Sequence, residues 1–376
     1  MDGSRLVMWI ALLLHPAAAQ AQLFSNKEVG QRNQQFADSL KSTEYPYVMP
    51  IWGAKATQAG YNLPYPAGLS VQYFGSKSDL LINNLMVGFN NGPMYELDGV
   101  VRFDKARATA SAITARPDVW LFPFLNIYGI LGSAMASTDI GFGVWIPDST
   151  GVSQEVLSAG TIVEFATTTF GFGFTPTIGV GGGFLALDMN VAWTDVPQLS
   201  QPARSFVFGP RFGKLFKLKK PESSIAVWVG GFRVQMASKT EGSLTLSDVF
   251  PEGGSEVGQK IDQGIARVGE AQQQVDEWWN GLSESAQNNP VNEARYEAAN
   301  AALGRAGEIL SSADAAVENI ENSTVQYSMD KQVKDPWNFI TGAQYQLNKH
   351  LMFRLEVGFL GSRNQMMGGV QYRFGL

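Results

Sequence analysis

Met366-Met367-Gly368-Gly369-Val370-Gln371-Tyr372-Arg373-Phe374-Gly375-Leu376 closes the chain, and its alternation decides how the rest is read. Val370, Tyr372, Phe374 and Leu376 are apolar, while Gly369, Gln371, Arg373 and Gly375 between them are small or polar. Successive side chains of a strand point to opposite faces, so this segment is a strand with one oily and one wet face. Alone, the pattern also fits an amphipathic strand of a soluble sandwich.

The alternation recurs upstream. Residues 351–359 set Leu351, Phe353, Leu355, Val357 and Phe359 against Arg354 and Glu356. Residues 337–347 set Trp337, Phe339, Ala343, Tyr345 and Leu347 against Asn338, Gly342, Gln344 and Gln346. Leu185, Leu187, Met189, Val191 and Trp193 oppose Asp188 and Asn190, and Phe206, Phe208 and Phe212 oppose Ser205, Val207, Gly209 and Arg211. Segments of about ten residues with this dyad pattern are the signature of a transmembrane β-barrel. A soluble sandwich would carry far more charge on its wet faces. Here only 16% of residues are charged, with 40 glycines and 43 aromatic residues (9 Trp, 11 Tyr, 23 Phe), against about 25% charge in soluble domains.

The other end reads as export. Leu6 to Leu14 is a short apolar run, followed by Ala19-Gln20-Ala21, a small-x-small cleavage pattern. Residues 1–21 are therefore expected to be a cleaved secretory signal peptide, too short to span a bilayer as a helix. The chain has no cysteine, hence no disulfide. A net charge of −6 suggests no nucleic-acid partner.

Counting strands back from the C-terminus gives twelve, near 66–76, 79–89, 95–103, 106–118, 123–145, 160–181, 184–195, 203–215, 224–246, 325–347, 350–361 and 365–376. An even number brings both chain ends to one side; the central and early strands alternate less cleanly, so ten or fourteen are the alternatives. Asn348-Lys349-His350 is then a periplasmic turn and Gly361 to Asn364 an outer one. Residues 22–60 precede the barrel as a periplasmic arm or partial plug, 61–251 carry strands one to nine, and 323–376 carry the last three. The strands over 123–145 and 160–181 exceed the 9–11 residues a bilayer needs, so they are expected to rise above the outer leaflet, joined by the polar loop around Pro147 to Gly151.

Residues 252–322 break the pattern. Val257, Ile261, Ile265, Val268 and Val275 recur at helical spacing, Pro290 suits a first helical turn, and Ala298 to Val317 is alanine-rich. This is a helical hairpin, and it is acidic. Residues 252–321 hold thirteen Asp and Glu against four Lys and Arg, a net of −9, leaving 24 basic and 21 acidic residues elsewhere. The strand count places it outside the cell, as a lid, a partner-binding projection or a surface elaboration. Were 240–250 and 323–331 separate barrel strands, it would hang in the periplasm instead. Trp278-Trp279 is its notable feature, either packing or touching the barrel rim and headgroups.

The candidate lumen residues are the polar ones on inward faces: Asp188, Asn190, Arg211, Arg233, Arg354, Glu356 and Arg373. Mixed charge in a pore sets its field and selects solutes by sign; paired with itself, it fills the interior. Catalysis is not expected. His15 leaves with the signal peptide, and His350 has no serine plausibly placed for it. With no cysteine and two histidines, no metal or other cofactor is expected. The glycines at 171–173 and 179–183 lack the Lys-Ser/Thr of a phosphate loop and read as turn and close-approach positions. Asp118 to Tyr128, dense in aromatics around Pro123, reads as a periplasmic turn with interfacial anchoring.

Arg116 to Gly132, Asp335-Pro336-Trp337-Asn338-Phe339 and the closing Tyr372-Arg373-Phe374 resemble uncharacterised porin-like outer-membrane barrel proteins of Gram-negative bacteria. The resemblance covers most of the barrel but not the helical insert. It implies an outer-membrane location, contact with membrane lipids and lipopolysaccharide, and a closing strand (Val370, Tyr372, Phe374, Leu376) read by the barrel assembly machinery. It implies no ligand. The expectation is thus an all-β transmembrane protein, a barrel of about twelve antiparallel strands with an inserted α-helical hairpin. Its function is passage of small polar or amphipathic solutes, or else display of the hairpin to a surface partner, or, less favoured, lipid-modifying enzymology. An open charged lumen favours passage; a lumen packed with side chains favours display.

Overall fold

The computed structural model describes residues 38–147, 152–197, 201–220, 222–236, 239–250 and 253–376. Residues 1–21, where a signal peptide is expected, residues 22–37 of the expected arm and the loop 148–151 lie outside them. Among the described residues, ten antiparallel strands close a barrel: β1 (Ala67–Phe89), β3 (Val101–Phe122), β4 (Leu125–Pro147), β5 (Ser153–Val180), β6 (Gly183–Asp195), β7 (Ala203–Lys217), β8 (Ser224–Met236), β11 (Trp337–Gln346), β12 (Leu351–Phe359) and β13 (Arg363–Phe374). The closing seam is β1 on β13, in register from Ala67 opposite Phe374 to Ser78 opposite Arg363.

The barrel has ten strands where the alternation suggests twelve. Residues 66–76 and 79–89 are one strand, because the polar run Ser76 to Asp79 lies within β1 and not at a turn. Residues 101–118 also belong to one strand, β3. A bulge between Phe103 and Lys105 shifts its register on β4 and reverses the alternation there, which in sequence mimics a strand end.

The described part of the arm and the C-terminus lie at one end of the barrel, with the turns at Pro123, Gly181-Gly182 and Asn348. Val180 and Gly183 pair across the two-residue turn, whose glycines have φ of 56° and 78°. A type I′ hairpin needs that left-handed pair. The arm crosses this end. Val48 N–H donates to Leu376 C=O (3.0 Å) and Ile51 N–H to Leu121 C=O (2.9 Å), beside the short helix α1 (Gly53–Gln58). Tyr45 donates to the Met49 carbonyl (2.7 Å), and burial, then Tyr47, pushes its phenol up to about 12. Trp52, Phe122 and Phe124 pack together at the β3–β4 turn.

At the far end the wall is uneven. The stretches read as single strands over 224–246 and 325–347 each divide. β9 (Lys239–Thr245) and β10 (Thr324–Val333) leave the barrel, β10 pairing with the outer half of β1 and β9 lying on its free edge; β2 (Tyr95–Glu96) also pairs there. Separate strands they are, but outside the barrel, so the insert stays at the end opposite the termini. Between this flap and the overhanging ends of β3, β4 and β5 sit α2 (Leu246–Val249), α3 (Gly254–Asn280), α4 (Glu284–Gln287) and α5 (Pro290–Val317). Asn289 caps α5 by accepting from Val291 N–H (2.9 Å).

The hairpin is not a free projection. Val257 and Ile261 of α3 and Ile309, Leu310 and Val317 of α5 share a core with Leu85 of β1, Leu246 of α2 and Val325 of β10. Val275 and Leu303 share a second with Val144 and Ile146 of β4 and Val156 of β5. The strand residues are on the face that continues the lumen wall, so the helices sit over the barrel's far mouth. At the hairpin's tip, Trp279 stacks on Tyr296 (4.4 Å) and Arg295 lies over Trp278 (4.6 Å); the paired tryptophans pack helix to helix.

Outside, the barrel is oily. Leu69, Val71, Ile113, Leu131, Phe170, Phe172, Phe212, Val229, Leu355 and Val370 belong to a band of exposed large apolar residues running round it. Five outward positions on nine residues, as in Leu351 to Phe359, cover about 20–25 Å of height in a tilted strand. Charge returns above the band, at the Arg107–Asp79 and Lys105–Asp139 pairs.

Candidate functional site: the lumen

A ten-stranded barrel has a backbone diameter of about 20 Å, from strand spacing and tilt. Long side chains from facing walls can therefore meet in the middle. They do. Arg211 of β7 grips Glu356 of β12 with two parallel bonds, Nε to Oε2 at 2.7 Å and Nη2 to Oε1 at 2.9 Å. This fork-on-fork pairing is the strongest geometry available to the two groups. Glu356 also accepts from Trp228 Nε1 of β8 (2.8 Å) and Arg354 Nη2 (3.1 Å).

The web continues across the lumen. Arg211 Nη1 lies 3.3 Å from Asp188 of β6, which accepts from the Tyr128 hydroxyl of β4 (2.5 Å) and the Thr175 hydroxyl of β5 (2.9 Å). Arg116 of β3 reaches Asp188 at 3.9 Å and lies 3.9 Å above the Tyr128 ring. From β3 to β12, side chains of seven strands are linked. Asp188, Arg211 and Glu356 are 8%, 5% and 3% exposed, so the web is out of bulk water. Buried charge survives only when paired and hydrogen-bonded, and both carboxylates meet that condition.

A second cluster lies nearer the termini. Arg373 of β13 pairs with Asp118 of β3 (2.7 Å) and donates to the Tyr65 carbonyl (2.8 Å); Asp118 also accepts from Asn126 (2.8 Å) and Gln371. His350 is held here, with Nδ1 2.8 Å from the Arg373 carbonyl and its ring stacked on Tyr372. Between the clusters is a cavity of about 260 Å³, lined among others by Arg116, Tyr128, Trp228, Arg354 and Gly369, with Asn62–Pro64 and Asn348–His350 at its terminal end.

Of the lumen residues expected from sequence, Asp188, Arg211, Arg354 and Glu356 are brought together, Asn190 joins through a 3.4 Å bond from its amide to the Tyr128 hydroxyl, and Arg373 belongs to the second cluster. Arg233 is elsewhere. It has the outward parity of Ile225, Val227 and Val229 on β8, is exposed, and lies opposite Phe208 and Trp337 at the upper edge of the apolar band. Arg116, Asp118, Tyr128 and Trp228 are lumen residues that the sequence reading left out. Continuing the inward parity of β3 from Ala112 through Thr114 finds Arg116, Asp118 and Trp120. Val370, Tyr372, Phe374 and Leu376 all face outward, exposed.

Among solved structures, the translocator domain of the autotransporter NalP from Neisseria meningitidis aligns over 92% of this chain and 100% of its own, at 9% identity and a TM-score of 0.29. The β domain of the Bordetella autotransporter BrkA aligns over 82% and 100%, at 8% identity and 0.28. The Ralstonia pickettii toluene transporter TbuX aligns over 83% and 90%, at 8% identity and 0.26. No family model and no curated protein sequence matches the chain.

Proposed function

We propose that this protein is a bacterial outer-membrane β-barrel, shut in its resting state, that anchors a helical domain at the cell surface. The observation that carries the reading is the web from Tyr128 through Asp188, Arg211 and Glu356, which crosses the lumen by hydrogen bonds and ion pairs of 2.5–3.3 Å. A hydrated solute would have to part charges that no water replaces cheaply. The helices over the far mouth are a second closure. Location rests on the outward apolar band, about as tall as a spanning barrel needs, and on side chains that put polarity inside. The band meets lipid, charge above it meets headgroups, and the outward aromatics of β13 suit handling by an assembly machinery. The helical domain, on the side opposite the termini, is the part available to a surface partner.

Passage of small polar solutes is the second reading, favoured by the cavity that leads from the terminal end up to the web. Planar-bilayer recording separates them. The refolded mature protein, and a variant lacking 252–321, are expected to give no steady conductance, because the web remains in both. Steady, ion-selective current from the intact protein would overturn the closed-barrel reading. Current from the deletion alone would make the helices a lid over a pore.

A further inference from the structure

The web leaves one charge over. Within the two clusters, four arginines (116, 211, 354, 373) face three carboxylates (Asp118, Asp188, Glu356), and the deficit is not shared evenly; Arg363, buried farther along β13, donates instead to the Phe232 and Pro336 carbonyls. Arg211 has a bidentate partner and Arg373 a close one, at 2.7 Å each. Arg116 comes no nearer than 3.9 Å to Asp188 and otherwise donates to Gln72 (3.3 Å). Arg354 shares the already crowded Glu356 at 3.1 Å, and its Nε is buried without a hydrogen-bond partner.

Both under-partnered arginines line the 260 Å³ cavity. Each guanidinium lies over an aromatic ring, Arg116 over Tyr128 at 3.9 Å and Arg354 over Trp228 at 4.9 Å. That contact positions the guanidinium and leaves its edge to donate. Glycine separates them in register: Gly369 of β13 is paired with Arg354 on one side and with Gln72 on the other. Gly369 brings no side chain of its own there, and the Gln72 side chain leans over it. Two under-partnered guanidinium groups beside a cavity walled by aromatics make an anion site with an apolar back.

We propose that this cavity binds a small organic monoanion, a carboxylate on a flat apolar body, entering from the end that holds the termini. The carboxylate takes the edges of Arg116 and Arg354, and the body lies along Tyr128 and Trp228. The volume sits just under the roughly 300–1,000 Å³ of drug-sized sites, so the ligand is of single-ring size. This holds whether or not the barrel conducts.

The test is calorimetric titration of the refolded full mature chain with benzoate, with its neutral isostere benzamide, and with inorganic phosphate. Benzoate is expected to bind saturably at one site, about tenfold or more tighter than either of the others. Arg354→Gln is expected to weaken benzoate by about tenfold while the far-ultraviolet β signal is kept. Absence of saturable heat, equal affinity for benzamide, phosphate binding as tight as benzoate, or a folded Arg354→Gln protein of unchanged affinity would each overturn the proposal. Should that variant not refold, the benzoate–benzamide comparison on the unaltered chain decides.

Discussion

Replacing Glu356 by glutamine tests whether the lumen web is dry. The carboxylate accepts four donors, from Arg211 twice, Trp228 and Arg354, at 2.7–3.1 Å, and its residue is 3% exposed. Glutamine keeps the shape but offers one carbonyl oxygen, and its amide turns N–H groups toward arginine N–H groups. Arg116, Arg211 and Arg354 then face Asp188 alone. Two magnitudes compete. An exposed ion pair is worth about 0–1 kcal/mol, whereas breaking a buried one costs roughly 3–5 kcal/mol, because the remaining charge is stranded. Burial selects the second. The assay is urea unfolding of the protein folded into lipid vesicles, followed by tryptophan fluorescence, with Arg211→Met, Glu356→Leu and their double variant completing a cycle. The double variant is expected to recover part of the loss, with a coupling of about 1–3 kcal/mol, since apolar replacement of a buried pair is often neutral. A Glu356→Gln protein within about 1 kcal/mol of wild type would refute the reasoning: the lumen would then be wet at the web, and the closed-barrel reading would fall with it.

Leu303→Ala removes a side chain that is 1% exposed between α5 and the overhanging strands, at a cost of about 2–5 kcal/mol. Limited proteolysis is expected to cut the helical domain while the barrel band persists; unchanged resistance would mean the two parts are not packed as described. Gly182→Val puts a β-branched residue at φ of 78° in the β5–β6 turn, a conformation it adopts only with strain. Refolding yield is expected to fall, with Gly182→Asn close to wild type, and equal yields would contradict a type I′ turn there.

How far the sequence reveals this molecule depends on which force acts at each position. β12, β13 and the 347–351 turn are legible because a strand with one oily face must alternate, as Leu351 to Phe359 does and, after the turn at 360–362, Val370 to Phe374 does again. The strand number is not, since two local events imitate turns. Ser76 to Asp79 is polar because β1 there leaves the apolar band, and the bulge at Asp104 inverts parity in mid-strand. Pro336 was a readable break between β10 and β11, as it supplies no N–H to a ladder. That β10 then turns to β1 is a long-range pairing no local pattern encodes. The helices are legible by period, but their seating is not, because Leu85, Val144 and Val156 acquire meaning only beside them. In the lumen, polarity and parity identify Asp188, Arg211 and Glu356. Polarity alone misplaces Arg233, whose parity with Ile225, Val227 and Val229 along β8 sets it on the outward face.

Polarity alone does not separate a working residue from filler in such a barrel. A spanning strand with an apolar outside must put its polar residues inside, for a chain apolar on both faces would read as membrane helix. Ten strands enclose more width than alanine and threonine can fill, and Ala110, Ala112, Ala134 and Ala136 line one side of this lumen. Long polar side chains from elsewhere must cross the gap, and once out of water they must satisfy each other. Satisfaction is therefore the sign of filler, and its absence the sign of chemistry held in reserve. Asp188 and Glu356 have every near donor engaged, so they close the barrel. Arg354, with a buried Nε bonded to nothing, and Arg116, at arm's length from its only carboxylate, carry hydrogen-bonding capacity the fold does not consume. Because both face the same cavity, the charge left over from closing the barrel is also the charge available to a ligand.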